Sequence, residues 1–109
     1  MTFRKIDKRM KELAQLAYER DISRCIDVLH AQMNEWKEGK TTVWDIEQSI
    51  HEFHNKIARG LYRSYAMTDT FLAVAFGVAQ GVLSLDDIPK SEKAKIQDVA
   101  ESINREVDS

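Results

Sequence analysis

Five polar residues lie on one segment at spacings that could bring them together for chemistry: Glu47, His51, His54, Arg59 and Tyr62. Glu47 and His51 are four residues apart, and His54 follows three residues later. In an α-helix, residues three or four apart are neighbours on one surface strip. One carboxylate and two imidazoles are suitable ligands for zinc or iron, and they leave coordination positions open for water.

The resulting metal site, Glu47 with His51 and His54, is only an alternative, because the match to known patterns is partial. The stretch from His51 to His54 has one residue too few for the His-Glu-x-x-His motif. Ferritin-like centres take carboxylates and Glu-x-x-His pairs from several helices. The third predicted helix offers no such ligand after Asp69. We therefore expect no cofactor.

The same polar strip has two simpler interpretations. His51, His54, Arg59 and Tyr62 can form a binding site without a metal. Alternatively, His54 borders the core and is hydrogen-bonded, while His51 packs against Trp44 or Tyr62. The sequence alone leaves these alternatives open.

No catalytic residue is predicted. Cys25 lies between two isoleucines on the inward edge of its predicted helix, which is typical of an inert structural thiol. The serines at the predicted helix ends, Ser64, Ser84 and Ser91, are not flanked by a Gly-x-Ser-x-Gly motif. The chain is therefore more consistent with a non-enzymatic protein, although an enzyme stays possible.

Charge is distributed unevenly along a chain whose formal net charge is only −2. Residues 1–40 carry an excess of two basic side chains, whereas residues 68–109 carry an excess of four acidic ones. A basic N-terminal arm for nucleic acid is a third functional hypothesis. It is disfavoured, because nucleic-acid-binding domains usually keep a basic excess when the whole domain is counted.

Apolar spacing predicts helices throughout. In residues 3–38 the apolar positions recur every three or four residues, and the stripe changes phase near Tyr18. This pattern fits one long helix or two helices broken near Asp21, and we favour one. Gly39 is suited to the left-handed position that ends many helices.

Three more helices follow. Thr42 and Asp45 are placed to cap a second helix that ends near Tyr65. Thr68 is expected to cap a third, apolar on all sides and therefore central, with Gly81 as its stop. Ser84 and Asp87 predict a short turn before a last helix over residues 90–107. Small residues in the third helix should let its neighbours approach closely.

These elements predict a single all-α domain over residues 1–109, a bundle of about four helices with a long first helix and a buried third one. A helix of about 35 residues spans about 50 Å, whereas a compact domain of this size has a radius of gyration of only about 13 Å. The first helix should project beyond its core. We therefore expect a partner, most simply a second copy in a homodimer.

The expected location is the cytoplasm. Residues 1–9 lack the apolar run of a secretory signal, and no apolar run approaches the ~20 residues of a membrane span. Because no apolar run is long enough, we expect no membrane association. The single Cys cannot form an internal disulfide.

The stretch from Trp36 to Pro89 resembles a group of small bacterial helical proteins to which no activity is attached. The resemblance lies in Trp36-Lys37-Glu38-Gly39, Ile50-His51-Glu52-Phe53-His54, Ala58-Arg59-Gly60-Leu61-Tyr62 with Tyr65, Gly81-Val82-Leu83 and Ile88-Pro89. It implies a small cytoplasmic helical fold.

The favoured function is a non-enzymatic module that self-associates or binds another protein, and the alternative is a small metal- or ligand-binding enzyme.

Overall fold

The computed structural model describes the backbone of residues 2–108 and the side chains of residues 6–106. The helices are α1 (Thr2–Lys37), α2 (Val43–Glu52), a π-helical segment (Phe53–Ala58), α3 (Arg59–Tyr65), α4 (Thr70–Ala79), a 3₁₀ turn (Leu85–Asp87) and α5 (Lys90–Asp108). Because α2, the π segment and α3 follow one another without a break, the described chain forms four helical rods and no strand. The predicted all-α bundle is confirmed.

The long first helix is also confirmed. It continues through the change of stripe phase because its two halves pack against different elements. Met10, Leu13 and Ala17 are buried in the main core, whereas the C-terminal half lies against α2 and the π segment. Gly39, at φ +78°, ends the helix in the left-handed region.

The second rod begins as predicted and continues with an irregularity that the sequence pattern did not reveal. The Thr42 side chain accepts a hydrogen bond from the Asp45 N–H at 3.2 Å, and the Asp45 carboxylate accepts from the Thr42 N–H at 3.0 Å. This capping box satisfies two backbone groups at the helix start. Ten residues later the α-helical hydrogen-bond pattern gives way to the π segment.

The π segment corrects the helical phase of the rod. Ile46 and Tyr65 are 19 positions apart and both are buried. Five α-helical turns take about 18 residues, so a regular helix would place Tyr65 roughly 100° away from the face of Ile46. A π-helix fits more residues into each turn, because its hydrogen bonds span five residues. The segment therefore absorbs the extra residue and turns both side chains toward α1.

The third rod, α4, is the central helix. Its cap is Asp69, not the predicted Thr68: the Asp69 carboxylate accepts a hydrogen bond from the Leu72 N–H at 2.8 Å. Ala73, Val74, Ala75 and Gly77 are buried, while Leu72 remains 42 % exposed. The apolar pattern predicted burial on all sides of α4. The structure instead leaves the side that carries Leu72 exposed.

Gly77 allows α4 to approach α1 closely, as the small residues of this helix predicted. A Cβ atom at this position would lie 2.7 Å from the Ala17 Cβ and 3.0 Å from a Leu83 methyl group. Gly81, at φ +76°, then ends α4. The chain folds back so that the Leu83 N–H donates to the Gly77 carbonyl at 3.2 Å, and Val82 and Leu83 are buried.

The last elements also follow the prediction. In the 3₁₀ turn, the Ser84 hydroxyl accepts from the Asp86 N–H at 3.2 Å, and the Asp87 carboxylate accepts from the Ser84 N–H at 3.4 Å. Helix α5 then packs along α4. It buries Ile96 and Ala100.

Two regions result. The base comprises residues 6–21 and 59–106, and it contains every member of the main core cluster. The arm comprises residues 22–58, a hairpin of the C-terminal half of α1 with α2 and the π segment, and it buries only Ile46. The longest dimension is 57 Å and the radius of gyration is 16.8 Å, well above the ~13 Å of a compact 100-residue domain. The first helix projects beyond its core, as its length predicted.

Candidate functional site

The predicted polar strip is partly assembled. The Nε2 atom of His51 lies 3.2 Å from a Glu47 carboxylate oxygen, and both side chains are well exposed, at 65 and 59 %. His54 belongs to the π segment and is exposed, and its imidazole makes no hydrogen bond among the described side chains. The expectation that His54 borders the core and is hydrogen-bonded is therefore wrong.

The start of the π segment lies between His51 and His54. The prediction placed His51 and His54 together by assuming the α-helical rotation for every residue, and the π segment begins between them at Phe53. Among side chains 6–106, no group of three or more His, Cys, Asp and Glu is arranged to hold a metal ion. The site formed by Glu47, His51 and His54 stays a prediction.

Arg59 and Tyr62 are exposed on α3, beyond the π segment. Tyr62 is 51 % exposed. None of the grooves described below is lined by His51, His54, Arg59 or Tyr62. The four candidate binding residues lie along one rod, on α2, the π segment and α3.

A buried polar cluster connects the base to the start of the arm. The Asp21 carboxylate, only 4 % exposed, accepts a hydrogen bond from the Tyr65 hydroxyl at 2.7 Å. Its other oxygen accepts from the Arg24 guanidinium at 2.9 Å. A buried carboxylate is stable only when it is paired and hydrogen-bonded, and these two partners meet that requirement.

Aromatic rings enclose the hydroxyl of this cluster. The ring of Tyr65 stacks on Tyr18 with centroids 5.5 Å apart, and it meets the edge of Phe76 at 5.1 Å. Burial, reinforced by the hydrogen bond to Asp21, raises the pKa of Tyr65 far above its ordinary value. The hydroxyl therefore remains a proton donor throughout the physiological range.

Two arginines extend the cluster to the end of α4. Arg20 donates to the Val82 carbonyl at 2.8 Å, and Arg24 donates to the Gln80 carbonyl at 3.1 Å. Carbonyl groups at a helix C-terminus lack partners within the helix and attract cations. The cluster is thus a structural joint between α1, α3 and α4. Its one signal in the sequence was the charged Asp21, three residues after the change of stripe phase near Tyr18.

The arm contains an apolar groove of about 170 Å³ between its two helical rods. Its walls are Cys25, Val28, Leu29 and Gln32 on α1, and Ser49, Glu52, Phe53 and Ile57 opposite. Cys25 is half-buried there. Its pKa is raised by burial and by the negative charge of Asp21, which keeps the thiol protonated.

Seven large apolar side chains of the arm are exposed to solvent. Val28 is 60 % exposed and Trp44 is 73 % exposed. The remaining members of this set are at least 40 % exposed: Ile26, Trp36, Val43, Ile50 and Ile57. Scattered exposed apolar residues are ordinary on protein surfaces, and seven of the large ones lie within the 37 residues of the arm.

Compared with known proteins, the chain matches no family model, no curated protein and no solved structure. Of the helices that the structure describes, none combines the length and the apolarity needed to cross a bilayer.

Proposed function

We propose that this chain is a non-enzymatic interaction module that forms a homodimer through its arm, in the cytoplasm of a bacterial cell. The observation that carries the proposal is the contrast within one chain between a well-buried base and an arm that buries only Ile46. A pair of helices is a single layer, and a stable core requires a second layer. The arm supplies one half of such a core.

A second copy is the simplest source of that layer. Two helical hairpins packed face to face form a four-helix bundle, in which apolar stripes meet at the centre. The stripe that runs along the C-terminal half of α1, from Ile22 through Ile26 and Leu29 to Met33, has the spacing that such packing needs. In a two-fold dimer each arm would cover the same surface on its partner.

Charge is compatible with this symmetric contact. The arm carries four basic and six acidic side chains, so its net charge is only −2. A strongly charged surface would repel an identical copy, because like charges would face each other across the axis. The nearly balanced arm avoids this repulsion.

Sedimentation equilibrium of the full chain tests the proposal. We expect a dimer, and we expect the double variant Ile26→Ser, Ile50→Ser to be monomeric while keeping its helical circular dichroism. The two isoleucines are 48 and 44 % exposed, so their replacement removes little buried area from the folded monomer.

The matched control is Met67→Ser, Leu72→Ser. These two apolar residues of the base are 68 and 42 % exposed, and the control variant should remain dimeric. A wild-type chain that is strictly monomeric at all accessible concentrations would overturn the proposal. Equal loss of dimer in both double variants would remove the assignment to the arm.

A further inference from the structure

A separate groove of about 260 Å³ lies on the base, where α3, α4 and α5 meet. It is lined by Arg63, Ser64, Thr68, Leu72, Phe76 and Ile103. No residue of the arm contributes to it. The groove is therefore independent of the surface assigned above to self-association.

Three of the six residues that line this groove are apolar. Phe76 and Ile103 pack against the main core and are only partly buried, so each presents some apolar surface to the groove. Leu72 is 42 % exposed on its wall. Apolar surface gathered in this way favours an apolar side chain as occupant.

The groove carries a positive charge that no described residue neutralises. Arg63 is its one cation, and no carboxylate is among its six lining residues. Arg59, four residues earlier on α3, lies on the same side of the helix. Within the part of the chain that the structure describes, neither guanidinium makes a hydrogen bond or an ion pair.

The other described arginines differ from these two, since each has a partner. Arg9 pairs with Glu12, and Arg20 binds the Val82 carbonyl. Arg24 bonds to Asp21 and to the Gln80 carbonyl, and Arg105 bonds to Ser102. The unpartnered arginines among the described residues are therefore both on α3, one in the groove and one beside it.

We infer that this groove binds an acidic amphipathic segment of a partner protein, with an apolar side chain in the groove and a carboxylate on Arg63. The guanidinium of Arg63 offers paired N–H donors that match a carboxylate. The hydroxyls of Ser64 and Thr68 provide further donors at the edge. Arg59 would pair with a second acidic residue about one helical turn along the segment.

The number of cations favours a protein segment over other anionic partners. Surfaces that bind acidic lipid typically carry clusters of four to eight Lys or Arg residues. Nucleic-acid sites gain their affinity by neutralising many phosphates. A groove with one arginine and a second beside it is too weakly charged for either, whereas an apolar anchor with one or two carboxylates matches it.

Selection from a displayed library of random twelve-residue peptides, using the immobilised full-length chain, tests the inference. We expect the enriched peptides to place an Asp or Glu within four residues of a Leu, Ile or Phe. Their synthetic versions should bind Arg63→Glu at least about tenfold more weakly, as expected for the loss of a charge-assisted hydrogen bond. Arg59→Glu should have a smaller effect.

Lys56→Glu is the matched control, because it makes the same charge reversal on the same rod in the π segment, and it should leave binding unchanged. Sedimentation of Arg63→Glu should still show the same oligomeric state as the wild-type chain, which separates this groove from the arm. No enrichment, enrichment of basic or neutral peptides, or equal binding to Arg63→Glu would each overturn the inference.

Discussion

The base and the arm use similar helices and reach very different degrees of burial. In the base, helices from all four rods surround fully buried side chains such as Leu13, Val74 and Ile96. In the arm, two rods lie side by side and Ile46 is the one buried residue among positions 22–58. The difference shows that apolar spacing makes a helix amphipathic, but the number of neighbouring layers decides whether its stripe is covered.

The joint between the two regions is polar. Asp21 stands where the stripe of α1 changes from one set of neighbours to the other, and it is held by Tyr65 and Arg24. A buried network of this kind fixes one arrangement of its helices, because any displacement leaves a charge without a partner. The cluster therefore ties α1 to α3 and to the end of α4 at the point where the arm begins.

The largest expected effect comes from the core of the base. Leu13→Ala should lower the free energy of unfolding by about 3 kcal/mol, because it removes a fully buried side chain and leaves a cavity. Ile50→Ala in the arm, where the side chain is 44 % exposed, should cost less than about 1 kcal/mol. Urea unfolding at a concentration where the chain is monomeric measures both. Equal costs would break the distinction between the two regions.

A comparison of two helical glycines tests the close packing of the base. Gly77→Ala should destabilise by about 2 kcal/mol, since its new methyl group would meet Ala17 at 2.7 Å. Gly60→Ala is the control: nothing lies within 4 Å of its Cβ position, and replacing a helical glycine should stabilise by about 0.5–1 kcal/mol. Thermal unfolding of both variants gives the sign of each change. A stabilising Gly77→Ala would contradict the close contact between α1 and α4.

The joint predicts a dependence on alkaline pH. Tyr65→Phe should destabilise by about 1 kcal/mol near neutral pH, because the buried Asp21 loses one of its donors. In the wild type, the pKa of Tyr65 is raised by folding. Its contribution is therefore fully present below the unfolded tyrosine pKa of about 10 and is lost as pH rises above that value.

Urea unfolding of both proteins between pH 7 and pH 11 measures this effect. The stability difference between the wild type and Tyr65→Phe should be constant up to about pH 9 and should shrink above about pH 10. A difference that stays constant over the whole range would contradict the raised pKa.

The smallest expected effect concerns the π segment. Deleting Asn55 should change the free energy of unfolding by less than about 1 kcal/mol, because about 18 residues then separate Ile46 and Tyr65, which is five α-helical turns. A regular helix can then turn both side chains toward α1. Circular dichroism and urea unfolding check this result.

Deletion of Ser23 is the control for that experiment. This residue is exposed on α1, which has no π segment to absorb a change of length. Its removal should rotate the arm half of α1 by roughly 100° relative to the base and disrupt the hairpin. If both deletions were equally harmful, the phase-correcting role of the π segment would be wrong.

The local signals in the sequence were sufficient for the helices and most of their ends. The capping pairs Thr42 with Asp45 and Ser84 with Asp87 act between near neighbours, so the chain alone specifies them. Gly39 and Gly81 end helices for the same local reason. The cap of α4 was misplaced by one residue, because Thr68 and Asp69 are both good caps and only the backbone geometry distinguishes them.

The sequence by itself thus determined the class of fold, the long first helix and an apolar central helix. Only the tertiary structure decided which apolar stripe is covered, because burial depends on contacts between residues far apart in the chain. The same holds for the bond between Asp21 and Tyr65, 44 residues apart. It also holds for the π segment, since the rod departs from regular α geometry to turn both Ile46 and Tyr65 toward one partner helix.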